Sequence, residues 1–93
     1  MKKTTFVCIS LLVSLLIISG CYTSYESWAL SHGVYNWRRG DYKESIRSLE
    51  NVLRVNPQNA NAHMWLALTY EDLGDYDKAK EYFSKAVAIE PRY

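Results

Sequence analysis

The tripeptide Gly-Asp-Tyr occurs twice in this chain, at Gly40-Asp41-Tyr42 and at Gly74-Asp75-Tyr76, 34 residues apart. The same interval separates Pro57 from Pro91. Between these fixed points the apolar positions are exchanged for like residues: Leu30 for Met64, Val34 for Leu68, Leu49 for Phe83, Leu53 for Val87 and Val55 for Ile89. Ahead of the second tripeptide, Met64, Leu68 and Glu71-Asp72 fall on one side of a helical pattern, and Leu66 and Tyr70 on another. Behind it, Ala79, Phe83, Ala86 and Val87 recur at helical spacings. The glycine suits the left-handed residue that ends a helix. The aspartate can accept hydrogen bonds from the free amides that begin the next one. The residue before each proline is pushed out of the helical region, which closes the unit. Two helix-turn-helix units, residues 26–59 and 60–93, therefore cover 68 of 93 residues, and no segment has the alternation of a strand.

A 34-residue unit of this build resembles the tetratricopeptide repeat. In the second unit Leu66, Tyr70, Gly74, Tyr76, Ala79, Phe83, Ala86 and Pro91 match that pattern; His63 stands in the usual tryptophan slot and Ala67 in the glycine slot. In the first unit Gly33, Gly40, Tyr42, Leu49 and Pro57 match, while His32, Asn36 and Ser45 replace a leucine, a tyrosine and an alanine. The resemblance implies an all-α fold, a short α-solenoid of two hairpins. Its helices are expected over Glu26 to Arg39, over Lys43 to Val55, from a cap at Asn59 or Asn61 to about Leu73, and in a fourth stretch preceded by Asp75 or Tyr76. It also implies that the first helix of each unit lines a groove for a partner segment. The groove slots fall on Ser27, Leu30, Val34, Trp37 and Arg38, and on Asn61, Met64, Leu68, Glu71 and Asp72. Independently of the family, this spacing puts each set on one helical face. Trp37 is of the residue type most enriched among binding hot spots. The Lys and Asn clamp that some relatives use for a carboxylate is missing, so an apolar or amphipathic segment is the expected ligand, with Arg38 opposed by Glu71 and Asp72 at the rim. The alternative role of Leu30, Val34, Met64 and Leu68 is packing between the hairpins.

Residues 1–20 have the build of a signal peptide: Lys2-Lys3, an apolar run from Phe6 to Ile18, then Ser19-Gly20. The run of 13 residues is shorter than the roughly 20 that a helix needs to cross a bilayer core. Ile18-Ser19-Gly20-Cys21 resembles the lipobox of bacterial lipoprotein precursors, which implies acylation of the Cys21 sulfur (a diacylglyceryl group, with palmitate among such chains) and cleavage before it. Residues 21–25 then form a short tether, and the absence of an aspartate after Cys21 favours the periplasmic face of the outer membrane over the inner membrane. Cys8 leaves with the signal, so the mature chain holds no disulfide and depends on packing. Tyr22, Tyr25 and Trp28 are expected either at the headgroups, where amphipathic rings are favoured, or over the open end of the first helix.

Catalysis finds no support. His32 and His63 lie on different helices with no ligand-spaced cysteine or carboxylate beside them, no strand-turn-helix elbow presents a serine, and the four glycines are too scattered for a phosphate loop. No catalytic residue, metal site or cofactor is expected. Without Lys2 and Lys3 the chain has 9 basic and 10 acidic side chains, which offers nothing to nucleic acid. The expected role is a lipid-anchored adaptor for another envelope protein or peptide segment, as in assembly of a pilus or secretion system. The alternative is a structural homo-oligomer that self-associates through repeat ends left open at Trp28 and Tyr35 and at Phe83, Val87 and Ile89, since about three such units are normally needed for a stable array. Cys21→Ser is expected to abolish fatty-acid labelling and to leave unprocessed precursor; normal maturation of that variant would rule out lipidation at this position.

Overall fold

The computed structural model describes residues 2–93; Met1 and the side chains of Lys2 and Ser19, with the expectations that fall on them, lie outside the described residues. Four helices follow one another: α1 (Lys2–Arg38), α2 (Tyr42–Val55), α3 (Ala60–Asp72) and α4 (Tyr76–Ile89). The described residues contain no strand. The two turns are built as the repeated tripeptide requires. Gly40 and Gly74 have φ of 79° and 82°, the left-handed conformation open to glycine. The Asp41 carboxylate accepts from Glu44 N and that of Asp75 from Lys78 N, so each aspartate caps the helix it precedes. Asn59 caps α3 by accepting from Ala62 N, which settles the choice between Asn59 and Asn61.

The first helix is longer than the repeat demands. The segment 21–25, expected to be a tether, is helical and continuous with the apolar segment before it and the repeat helix after it. No proline interrupts residues 1–39, and a glycine such as Gly20 weakens a helix by about 1 kcal/mol without ending it. At about 1.5 Å per residue the helix is a rod of roughly 55 Å. It accounts for the 64 Å long dimension and for a radius of gyration of 17.7 Å, against about 12 Å for a compact chain of this size. Every residue from 3 to 25 whose side chain is described is exposed.

The core begins at Ala29. Within the first hairpin α1 and α2 approach closely at Gly33, where an added Cβ would stand 2.7 Å from Cγ and Cδ2 of Leu49. Ser45 Oγ donates to the Gly33 carbonyl at 2.8 Å from the same crossing. Ser48 Oγ lies 2.8 Å from His32 Nδ1, and Asn36 Nδ2 donates to the His32 carbonyl at 2.9 Å. The polar residues that depart from the family pattern thus all find partners inside one hairpin. In the second hairpin the equivalent positions are apolar or aromatic: Tyr70 stacks on Tyr82 with ring centroids 5.7 Å apart, and Leu66 and Ala79 are buried beside them. Burial beside Tyr70 pushes the Tyr82 hydroxyl above its ordinary pKa.

The hairpins join through α2 and α3. Leu49, Leu66, Tyr70 and Ala79 form one buried cluster, and Ala29, Val52 and Ala62 a second, with Leu30 and Leu53 packed against both. At the foot of the structure Glu26 Oε1 accepts from Asn56 Nδ2 at 2.9 Å and Asn59 Nδ2 at 2.6 Å, which ties α1 to the connection between hairpins. His63, in the slot where the family has tryptophan, is buried and donates from Nε2 to the Pro57 carbonyl at 2.8 Å.

Gly33→Ala is expected to destabilise by about 1–3 kcal/mol, because Leu49 is enclosed and has nowhere to retreat. Gly40→Ala and Gly74→Ala are expected to cost more than about 1 kcal/mol each through the positive φ alone, since nothing lies within 4 Å of either added Cβ. Denaturant unfolding of the full chain in detergent checks all three; unchanged midpoints would refute these local geometries.

Candidate functional site

The predicted stripe lies along the side of the structure formed by the first helix of each hairpin. Leu30, Val34, Trp37, Met64 and Leu68 are half-buried, while Arg38, Glu71 and Asp72 are exposed. Leu30 is partly committed to the core, where it touches both buried clusters. Val34 and Arg38, with the outer edge of Leu30, border a shallow groove that also includes Ser31 and Tyr35.

The structure adds a link across the stripe. Trp37 Nε1 donates to Asp72 Oδ2 at 2.7 Å, from α1 to α3. The Trp37 ring meets Trp65 edge-on with centroids 5.1 Å apart. Trp37 is therefore held in place before any ligand arrives. An indole fixed by a charge-assisted hydrogen bond and an aromatic edge loses little rotational freedom on binding, which favours affinity. Asp72 is engaged by Trp37, which leaves Arg38 and Glu71 as the charged groups flanking the centre. Trp65, not anticipated as part of the site, is recognisable afterwards by its place one residue after Met64 on the face toward the first hairpin.

A second surface lies at the far end. Glu71, Tyr76, Ala79, Lys80, Phe83 and Val87 border an open, mostly apolar groove of about 660 Å3 between α3 and α4. Glu71 is the one residue of the expected stripe that reaches it. Phe83 and Val87, expected at an open repeat end, form part of its apolar lining. Ile89 is half-buried. Cys21 is exposed on α1, beside a separate apolar surface shared by Ile17, Ile18, Tyr22, Tyr25 and Val55. Tyr22, Tyr25 and Trp28 remain exposed and do not close the end of the first hairpin; Trp28 stacks on His32 at 5.3 Å.

Two antiparallel helix pairs set side by side, with open grooves along their faces, define a helical-repeat scaffold, a class that works by presenting surface; among the described residues no catalytic constellation is assembled. The family pattern described as tetratricopeptide repeat matches residues 30–93, and the chain belongs to that family. It is 37% identical over 60 residues to the protein CTR9 homolog of Arabidopsis thaliana, a match that covers 64% of this chain and 6% of that one. It is 32% identical over 62 residues to a TPR repeat-containing protein of Methanocaldococcus jannaschii, covering 67% of this chain and 11% of the relative. Among solved structures, MamA superposes with a TM-score of 0.70 at 27% identity, covering 71% of this chain and 39% of that one. A Thermobaculum terrenum O-GlcNAc transferase mutant superposes with a TM-score of 0.73 at 31% identity, covering 75% and 14%. The chain therefore spans about a tenth or less of the length of these curated relatives. What is shared is the repeat and its use as an interaction scaffold.

The Trp37–Asp72 link is expected to couple the two hairpins. A double-mutant cycle of Trp37→Phe and Asp72→Ala should give an interaction energy of about 0.5–1.5 kcal/mol by denaturant unfolding. Strict additivity would show that the bond contributes nothing.

Proposed function

We propose that this protein is a membrane-anchored adaptor of the cell envelope that holds an apolar or amphipathic segment of another envelope protein along its α1–α3 face. The observation that carries this reading is the pinned Trp37 in the middle of that face, with half-buried Leu30, Val34, Met64 and Leu68 along it and Arg38 and Glu71 beside it. A ligand laid there gains apolar contact from the stripe and orientation from two opposite charges. The family's use of this face for protein and peptide partners supports the assignment.

The anchoring part of the proposal rests on α1. Its apolar run of 13 residues is short for a span by itself, but with the flanking residues α1 is long and apolar enough, by length and composition, to cross a membrane, and every described side chain from residue 3 to residue 25 is exposed. A secretory signal has the same properties, and Cys21 follows the apolar run at the position a lipid-modified terminus would occupy. Either route leaves the repeat units beside a bilayer. A place in the assembly of a larger envelope complex, such as a pilus or secretion system on the periplasmic face of the outer membrane, fits a scaffold with a ligand face of its own and no chemistry.

Photocrosslinking in the native envelope tests the ligand face. A photoreactive residue at Leu68 is expected to yield an adduct with a protein other than this chain, while the same probe at Lys85, on the exposed face of α4, yields none. Equal adducts from both positions, or none from Leu68, would overturn the assignment.

A further inference from the structure

The groove at the end of the second hairpin is the 34-residue counterpart of a surface that is already occupied within the chain. Subtracting 34 converts Ala79, Phe83 and Val87 into Ser45, Leu49 and Leu53, the side of the first hairpin on which α3 is seated. Leu49 is fully enclosed there, whereas its counterpart Phe83 is half-buried; Val87 and Tyr76 are 43% and 69% exposed, where their counterparts Leu53 and Tyr42 are half-buried. The seat is built for a helix of the α3 type.

The same shift identifies a helix that carries the matching face. Ala62 and Thr69, both fully buried, correspond to Trp28 and Tyr35 on α1, which are 61% and 55% exposed. The side-chain volumes are redistributed between the two surfaces: Trp28 and Tyr35 are larger than Ala62 and Thr69, and in the groove Val87 is smaller than Leu53 while Phe83 is larger than Leu49. The charges also agree. The link from Trp37 to Asp72 becomes, after the shift, Glu71 of one copy facing Arg38 of the next. A neutral donor and a carboxylate are replaced by a carboxylate and a guanidinium, so the pair remains attractive with its polarity reversed.

We infer that this chain binds a second copy of itself head to tail, with the Trp28–Tyr35–Arg38 face of α1 seated in the α4 groove of its neighbour. The contact is heterologous, so each copy keeps one free end and further copies can add. It prolongs the existing α2–α3 interface and leaves the apolar stripe of Leu30, Val34, Met64 and Leu68 uncovered, but it draws on Arg38 of one copy and Glu71 of the next, so at each junction those two charges serve the contact between copies and the ligand is held by the stripe. One local adjustment is required. Residues 90–93 correspond to the connection at residues 56–59, and so do residues 22–25 of an incoming α1. The exposed tail Pro91–Tyr93, held by the bond between the Tyr93 hydroxyl and the Asn61 side chain, has to fold outward to admit it.

Two differently tagged full-length chains, one with Ser31→Cys and one with Glu71→Cys, distinguish the arrangements, because these positions are the counterparts of Trp65 and Trp37, whose rings touch. A short bismaleimide added to membranes from cells expressing both is expected to give a mixed dimer well above the level from either chain alone. Dimers of Glu71→Cys with itself would instead indicate a symmetric tail-to-tail contact, and no dimer above the level of unsubstituted chain would mean no association; either overturns the inference. Arg38→Glu or Glu71→Arg alone should lower co-purification of tagged copies at least tenfold, and combining both in one chain should restore it. Failure of the combined variant to restore association, with both single variants folded by circular dichroism, would also refute the proposed pairing. Loss of the Leu68 adduct with dimerisation intact would count against the adaptor alone.

Discussion

Everything in this structure depends on how closely α1 and α2 approach at Gly33. A missing Cβ lets Leu49 rest against the α1 backbone, and the Ser45 hydroxyl claims the carbonyl exposed by that approach. Leu49 is then the residue on which the second hairpin is seated, through Leu66 and Tyr70. The position of α3, and with it the spacing between Trp37 and Asp72, follows from the depth to which α2 settles on α1. A repeat unit cannot enclose its own apolar face, so the geometry of the first crossing passes along the chain. The face proposed to bind a partner lies at the end of that sequence of contacts.

The two hairpins reach the same backbone arrangement with different interiors. The first uses a polar set, His32, Asn36, Ser45 and Ser48, whose members are paired within the hairpin. The second uses stacked Tyr70 and Tyr82, and His63 beside them. Hydrogen bonds inside a hairpin contribute about 1 kcal/mol each when they are all made, and cost as much or more when one is left open. The polar interior therefore fixes helix register more sharply than it adds stability. The apolar interior of the second hairpin contributes more to burial, and it is the second hairpin whose outer face is left open.

Much of the architecture was legible because it rests on backbone requirements that few residues meet. Gly40 and Gly74 at positive φ, Asp41 and Asp75 as caps, and the 34-residue interval define four helix ends from the sequence alone. The polar substitutions in the first unit were legible as departures, but their mutual pairing was not, because it joins residues up to 16 positions apart across a crossing. Glu26 binding Asn56 and Asn59 was hidden for the same reason. At the ligand face the spacing identified the residues on one helical side. It did not identify the bond between Trp37 and Asp72, which separates a prearranged aromatic from a merely exposed one. Residues 21–25, read as a tether ahead of a helix starting at Glu26, are helical because nothing in the local sequence stops the helix.

That uninterrupted first helix makes the molecule a crank. Cys21 and Trp37 lie on one shaft, 16 residues and roughly 24 Å apart, with no hinge between them. Each residue inserted into or removed from the shaft would turn the two ends by about 100° relative to each other as well as changing their separation by about 1.5 Å. Whatever grips the apolar end thereby sets the compass bearing of the ligand face. In the proposed adaptor a partner would therefore be presented in one orientation, and a change of a single residue in the shaft would aim it elsewhere.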